Sequence, residues 1–145
     1  MKNENQILRV LILEDTPERQ EILKNLAKDH AWILINTANR AIRYIKAYDF
    51  DLIFLDYDLD GVERGDIVAS AINDSRNKNT KVIIHSMNSG GAELIGKILP
   101  RAEVVPISKM IKNNTTFKRL RQALKQGTDI DWKFVFSGKR NNESL

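Results

Sequence analysis

The apolar residues of the chain fall into two alternating patterns. Short and nearly continuous runs of strand length, such as ILRVLILED and DLIFLD, predict strands that are buried on both faces. Between these runs apolar residues recur every three to four positions, which predicts amphipathic helices. The predicted strands, in chain order, are ILRVLILED, WILIN, DLIFLD, KVIIHS and EVVPI. The predicted helices run from Pro17 to about residue 29, from about 39 to 48, from 64 to 74, from Gly90 or Gly91 onward, and from 115 to 126.

The alternation of five strands with five helices predicts a single α/β domain. Each strand needs a crossover connection to reach the next parallel strand, and helices of this length provide one on both faces of the sheet. We therefore expect a doubly wound, five-stranded parallel sheet. In such sheets ligands bind outside the carboxyl ends of the strands, so those ends are where functional residues are expected.

The segment after residue 126 predicts a short C-terminal extension. Trp132, Phe134 and Phe136 alternate along it, as a strand or a packed extension would. We expect one domain over residues 1–126 and an extension over 127–145, docked on the body or on a second copy, with its last residues frayed.

Composition narrows the function classes. The chain has no cysteine, no secretory signal, and no apolar run near the ~18 to 20 residues of a membrane span, so we expect a cytoplasmic protein without a membrane partner. Residues 1–96 carry 12 lysines and arginines against 15 acids, whereas residues 97–145 carry 11 against 4. The basic final third, with FKRLRQALK at its centre, predicts either a surface for nucleic acid or a protein partner, or an ordinary solvated helix face.

Carboxylates gather where two of the predicted strands end. Glu14 and Asp15 end the first strand, and Asp56 ends the third. Because the carboxyl ends of parallel strands share one edge, these side chains converge, and a cation would relieve their repulsion. Oxygen ligands select Mg²⁺ or Mn²⁺ over zinc. With Ser86 after the fourth strand and Lys109 past the fifth, the group predicts a phosphate-handling site in which Asp56 can act as a nucleophile.

These strand ends resemble the response-regulator receiver domains of the CheY-like superfamily. The acid pair in LILEDTP, the aspartate in FLDYDLDG, the serine in VIIHSMN and the lysine in VVPISK follow the order of that family over about residues 7–126. The resemblance implies a flavodoxin/CheY-like strand order, 2-1-3-4-5, and Mg²⁺ or Mn²⁺ bound by Glu14, Asp15 and Asp56. It also implies that Asp56 takes a phosphoryl group from a phosphodonor, with Ser86 and Lys109 contacting that group.

Two positions depart from ordinary receivers. Pro106 stands where the family usually has an aromatic residue that swings inward on phosphorylation, and Met110 follows the lysine where proline is usual. Because a proline ring has no rotor to swing, output through the usual aromatic switch is not expected.

The stretch HSMNSGGAELI, together with LDYDLDG, is similar to a divergent branch of the superfamily. That branch is proposed to process cyclic phosphates and is often found in phages and conflict systems. In physical terms, His85 could protonate a leaving ribose oxygen while metal-bound water or Asp56 attacks phosphorus. Asn88, Gly90 and Gly91 could hold the anion at a helix N-terminus. The chain would then be a phosphohydrolase acting on cyclic phosphates or RNA ends.

Less specific interpretations stay open for several of these residues. His85 can point into the core and hydrogen-bond there, and Lys109 can be an ordinary surface lysine. Other polar and glycine positions can serve turns and helix starts for conformational reasons alone: Asp58, Asp60, Asn88, Gly90 and Gly91.

Three function classes follow from the sequence. The first is a metal-dependent phosphoesterase that uses His85 as an acid. The second is a stand-alone response regulator that is phosphorylated on Asp56 in a two-component phosphorelay. The third is a protein-binding module that works independently of phosphate.

Overall fold

In the computed structural model, which describes residues 6–111, 114–127 and 129–140, five strands form one sheet in the order β2-β1-β3-β4-β5. The strands are β1 Arg9–Leu13, β2 Ala31–Ile35, β3 Leu52–Leu55, β4 Lys81–Ile84 and β5 Glu103–Val104. The helices are α1 Pro17–Leu26, α2 Ala38–Ala47, α3 Gly65–Asn73, α4 Ser89–Ile98, α5 Ile107–Ile111, α6 Thr115–Gln126 and α7 Trp132–Ser137. All neighbouring strands run parallel, which confirms the predicted fold class. Of the helices in these ranges, none has the length and apolar character needed to cross a membrane.

The sheet separates two hydrophobic cores. Along β1, Leu11 and Leu13 face one core while Val10 and Ile12 face the other, as expected for a strand that is buried on both sides. Helices α2, α3 and α4 cover the first core, and α1, α5, α6 and α7 cover the second. The helices therefore hold the strand ends in fixed positions from both faces.

The fifth strand is shorter than its apolar run predicts. It spans only Glu103–Val104, although the Val105 and Ile107 N–H groups on either side of Pro106 still donate to the Ile84 and His85 carbonyls at 2.9 and 3.0 Å. The chain then turns into the short helix α5, which the sequence did not predict and which carries Lys109. Ile107 and Met110, one helical turn apart, are buried in the second core and hold α5 in place.

The aromatic residues near the C-terminus form a helix, not a strand. Asp131 caps α7 by accepting the Phe134 N–H at 3.1 Å, and Gly138 ends the helix with a φ of 77°. Trp132 and Phe136, four residues apart, stack with ring centroids 6.2 Å apart, and Val135 is buried in the second core. The extension thus docks on the body through α6. The predicted fraying concerns residues 138–145, of which positions 141–145 lie outside the described residues.

Candidate metal and phosphate site

A buried trio of side chains forms the centre of the site. Glu14 follows β1, Asp56 follows β3 and His85 follows β4, and these three strands are neighbours in the sheet. The exposed fractions of the three residues are 0%, 1% and 0%. His85 Nε2 lies 2.9 Å from Glu14 Oε1, and one ligand atom from each residue lies within 4.8 Å of the others. The trio therefore has the spacing to hold one metal ion.

Two atoms of the trio lack hydrogen-bond partners. Glu14 Oε2 accepts the backbone N–H groups of Asp15 and Thr16 at 3.0 and 2.9 Å, and Asp56 Oδ1 accepts that of Tyr57 at 2.8 Å. In contrast, Asp56 Oδ2 and His85 Nδ1 are buried and have no partner among the described residues. Buried polar atoms are nearly always paired in native proteins, so these two atoms indicate a ligand between the strand ends.

The pKa values of the two carboxyl groups shift in opposite directions. Burial raises the pKa of Asp56, the charge of Glu14 raises it further, and His85 acts in the opposite sense. Burial would also raise the pKa of Glu14, but the hydrogen bonds from His85 and the Thr16 N–H outweigh it, so that pKa is lowered. Glu14 is therefore the better stabilised carboxylate, and Asp56 is the one that needs a counterion.

Asp15, the third expected metal ligand, lies at the rim of the trio. It is partly exposed, and its Oδ1 lies 3.3 Å from the Thr16 hydroxyl. Its pKa is raised, first by burial and then by the charges of Glu14 and Asp60. The structure thus places Asp15 beside the other acids but outside their most compact group, where His85 stands instead. The side chain of His85 points into the acidic site and not away from it.

Ser86 and Lys109 differ in their relation to Asp56. The Ser86 hydroxyl is buried and accepts the Asn88 N–H at 3.1 Å. Its proximity acts to lower the pKa of Asp56, although Asp56 Oδ2 has no hydrogen bond of regular geometry within the described residues. Lys109 is exposed on α5 and makes no ion pair with the trio within the described ranges. The structure brings Ser86 to the site and leaves Lys109 on the surface.

Asn88 and Gly91 of the predicted anion loop form hydrogen bonds within the protein. Asn88 caps α4, since its Oδ1 accepts the Gly91 N–H at 2.9 Å, and its Nδ2 lies 3.4 Å from Asp58 Oδ2. A side chain at position 91 would not fit, because an added Cβ would lie 2.2 Å from Tyr57 Cγ. Gly91 therefore serves the packing of α4 against Tyr57, whereas Gly90 is exposed.

Arg64 and Gly65 brace the loop after Asp56, and sequence reasoning missed both. The guanidinium of Arg64 donates to the carbonyls of Leu59 and Gly61, each at 2.7 Å. Gly65 donates its N–H to the Tyr57 carbonyl at 2.8 Å, and an added Cβ would lie 2.1 Å from the Asp56 carbonyl oxygen. No motif marks such positions, because their targets are backbone atoms that only the folded loop brings near.

Asp60 ties the same loop to the end of β2. Its backbone N–H donates to the Asn36 carbonyl at 3.0 Å, and its carboxylate accepts the Asn36 side-chain amide at 3.0 Å. The turn-forming interpretation of Asp60 agrees with these contacts. Asp58, which is exposed, faces Asn88 across the opening.

The fold and the site together define a receiver domain. The family model of the cyclic-phosphate processing receiver domain matches residues 9–101, nearly two thirds of the chain, and the chain belongs to that family. No curated protein matches the chain.

Solved structures of receivers share the fold. The receiver domain of a sensor histidine kinase from Pseudomonas aeruginosa PAO1, with a magnesium ion in its active-site cleft, is 18% identical over 81% of this chain and 99% of its own, with a TM-score of 0.62. The response regulator TrrA of Thermotoga maritima, in complex with Mg²⁺ and BeF, is 22% identical over 79% and 99%, with a TM-score of 0.60. The Mn²⁺-bound response regulator Rcp1 is 18% identical over 85% and 97%, with a TM-score of 0.65. At these identities the likeness concerns the fold.

Proposed function

We propose that this receiver domain binds Mg²⁺ or Mn²⁺ at its acidic edge and hydrolyses cyclic phosphodiesters of nucleotides or RNA ends. One observation carries the proposal: His85 lies within the carboxylate group, hydrogen-bonded to Glu14 and next to Asp56. A core histidine would not need two carboxylates beside it. The family description, which names cyclic-phosphate processing, supports the same chemistry.

The residues present fit a divalent cation. Glu14 and Asp56 supply oxygen donors, Asp15 stands at the rim, and the unpartnered Asp56 Oδ2 is available as a ligand. The cation would offset charge on the phosphoryl oxygens. Carboxylates suit Mg²⁺ and Mn²⁺ alike, and His85 is left to act as an acid.

His85 would supply the proton that the leaving oxygen needs. Because Glu14 Oε1 accepts a hydrogen bond from Nε2–H, the opposite ring atom, Nδ1, is the one that can carry a transferable proton. In the proposed hydrolysis, a water oxygen forms a bond to phosphorus and one ribose oxygen leaves. The leaving oxygen takes the Nδ1 proton, and the water proton returns to the ring, which gives a phosphomonoester. Since Asp56 is only 1% exposed, the loops around it must part to admit the phosphorus.

A second function, phosphorylation of Asp56 by a phosphodonor, is favoured by the free Asp56 Oδ2. In that case the oxygen attacks phosphorus and the phosphoryl group stays on the protein. The basic final third would then present a surface to a protein partner. Pro106 is held in place of a mobile aromatic residue, so such output would not use the usual rotor.

One paired experiment separates the two functions. The parent protein is incubated with a 2′,3′-cyclic nucleotide and Mn²⁺ or Mg²⁺, and in parallel with acetyl phosphate followed by intact-mass measurement. We expect the parent to form phosphomonoester over many turnovers in a metal-dependent reaction. Product formation should be lost in Asp56→Asn and in His85→Gln. The glutamine amide can keep a hydrogen bond to Glu14, so the second variant removes mainly the acid. The matched control is His30→Gln, since His30, the other histidine, bonds the Leu8 N–H far from the acids.

The outcomes differ clearly. Product in the His85→Gln variant at the parent rate would remove His85 from the mechanism. No product at all, together with the mass of one phosphoryl group that disappears in Asp56→Asn, would establish the phosphoacceptor function instead.

A further inference from the structure

A row of basic and aromatic side chains lies on the outer face of α2. Arg40 lies three residues before Arg43 and four before Tyr44, so these three side chains share one side of α2, and Tyr48 follows as the C-cap residue, four residues after Tyr44. Ala47 lies between them, and together these residues line a cavity of about 430 Å³. The rings of Tyr44 and Tyr48 are 6.0 Å apart at an angle of 33°, and Tyr48 is 57% exposed.

The two arginines of this row are not neutralised. Both are exposed, and neither makes an ion pair with any acid in the described part of the chain. An arginine plane and a tyrosine ring are both faces on which a nucleobase stacks, and the guanidinium also pairs with phosphate. Tyr44 is partly buried against the first core, whereas the Tyr48 ring is open to a stacking base.

The row continues into a second cavity at the amino ends of the strands. Arg76 links the two, since its Nη1 donates to the Ala47 carbonyl at 3.2 Å and it also lines the second cavity, of about 550 Å³. Lys78, Arg101 and Trp132 lie on the walls of this second cavity. Its volume is within the ~300 to 1,000 Å³ of known ligand sites.

Of the four cations that line this second cavity, two lack an acidic partner within the described residues, and Lys81 is paired with Glu103. Arg76 is paired with Asp49, but Lys78 has no acidic partner within the described residues, and Arg101 is bonded to neutral oxygens of Asn79 and Lys78. The cavity thus adds two free positive charges and an indole to the row on α2. We call Arg40, Arg43, Tyr44, Tyr48, Lys78, Arg101 and Trp132 the basic-aromatic surface.

We infer that the basic-aromatic surface binds single-stranded nucleic acid without sequence preference. Cations spaced along a path with interleaved rings are what a flexible strand needs, because its phosphates meet the cations and its unpaired bases stack on the rings. A duplex would present phosphates but no free base faces. An acidic peptide would use the cations but would gain nothing from the rings. The inference does not depend on the proposed hydrolysis, since no residue of the surface belongs to the acidic site.

The test is fluorescence anisotropy with a labelled oligouridylate of about 12 nucleotides, titrated with the full chain in EDTA at about 50 and 200 mM salt. EDTA removes divalent cations, so the acidic site does not contribute. We expect the double variant Arg40→Gln, Arg43→Gln to bind about tenfold more weakly and to show a salt slope shallower by about 1.4, the value for two lost phosphate contacts on a single strand.

Two matched controls sharpen the result. Lys118→Gln with Lys125→Gln makes the same change in charge on exposed positions of α6, the other basic helix, and is expected to stay within about twofold of the parent. Tyr48→Ala should weaken binding about tenfold, whereas Tyr48→Phe, which keeps the ring, should not. Circular dichroism checks that each variant is folded.

Several results would overturn the inference. The first is that the parent does not bind oligouridylate at low salt, and the second is that the α6 variant loses as much affinity as the α2 variant. The third is that the parent binds a duplex with equal affinity and Tyr48→Ala has no effect. The fourth is that polyglutamate at the same charge concentration displaces oligouridylate as well as unlabelled oligouridylate does.

Discussion

The acidic trio and the basic-aromatic surface differ in the solvent exposure of their charged groups. At the trio, Glu14 and Asp56 are withdrawn from water, and Asp56 Oδ2 has no partner among the described residues. On the basic-aromatic surface, Arg40 and Arg43 remain in water, where an unpaired charge costs little. A buried carboxylate without a partner is unfavourable, so a ligand that fits the cavity binds it selectively, whereas an exposed arginine attracts any partner of opposite charge. The acidic trio is therefore a specific binding site, and the basic-aromatic surface is a nonspecific one.

The same contrast explains how the charge is distributed. The first 96 residues are acidic in sum, yet they contain most of the basic-aromatic surface. Five of their acids lie at the carboxyl edge of the sheet, away from the basic-aromatic surface: Glu14, Asp15, Asp56, Asp58 and Asp60. Net charge along a sequence averages over two sides of a domain that folding separates.

The largest expected effect is at Asp56. Asp56→Asn should lower turnover of a cyclic nucleotide by about 1,000-fold or more, because the amide can neither hold the cation nor attack phosphorus. The same variant should bind oligouridylate in EDTA as the parent does. A loss of both functions would show that the two regions are one site.

The next effect concerns the loop that carries Asp56. Gly65→Ala should lower the free energy of unfolding by about 3 kcal/mol, since the added Cβ meets the Asp56 carbonyl at 2.1 Å. Gly96→Ala, in α4 with nothing within 4 Å of the added Cβ, should instead stabilise by about 0.5 to 1 kcal/mol. Urea denaturation monitors both. Equal effects in the two variants would contradict the close approach at Gly65.

The pH dependence of stability gives a smaller effect with a defined sign. Burial raises the pKa of Asp56 in the folded protein, so the folded state holds this proton more tightly than the unfolded chain does. The stabilisation is complete below the unfolded pKa and is lost as the pH rises through the folded pKa. Without metal, Asp56→Asn should therefore be more stable than the parent at neutral pH, by on the order of 1 kcal/mol.

That difference should disappear under two conditions. It should vanish as the pH falls below about 4, the unfolded pKa of aspartate, and it should shrink at neutral pH when Mg²⁺ or Mn²⁺ stabilises the parent alone. Urea titrations at several pH values, with and without metal, measure this. If the parent were more stable than Asp56→Asn at pH 7 in EDTA, the carboxylate of Asp56 would not be destabilising in the folded protein, and this assignment would be wrong.

The smallest effect lies beside the basic-aromatic surface. Asp49→Asn breaks the exposed pair of Asp49 with Arg76 and should leave the unfolding midpoint unchanged, because solvent screens such pairs. It should, however, raise the affinity for oligouridylate severalfold, since Arg76 links the two cavities and loses its counterion. Unchanged affinity in anisotropy would place Arg76 outside the binding path.

Most of the fold was predictable because its signals are local. The continuous apolar runs predicted the buried parallel strands, and the carboxylates at their ends predicted the acidic edge. The structure of the C-terminal extension was harder to predict. The pattern Trp132, Phe134, Phe136 suggested a strand or a packed extension. Trp132 and Phe136 are also about one helical turn apart, and with Val135 buried on the same side the segment forms a packed helix.

The details of the site needed the structure for a different reason. Whether His85 faces the acids or the core depends on the direction of one side chain at a strand end, which the order of residues does not state. Lys109 was expected beside Asp56 because it follows the fifth strand, but that strand is short and Lys109 lies exposed on the helix that follows. Arg64 acts on carbonyl groups, and such contacts leave no pattern in a sequence.

The contact between Gly91 and Tyr57 has a mechanical consequence. Tyr57 directly follows Asp56, and its ring lies against Gly91 so closely that no methyl group would fit between them. Tyr57 cannot move toward α4 without pushing the helix, and α4 cannot approach without displacing Tyr57. The position of α4 is therefore sterically coupled to the backbone segment that carries Asp56.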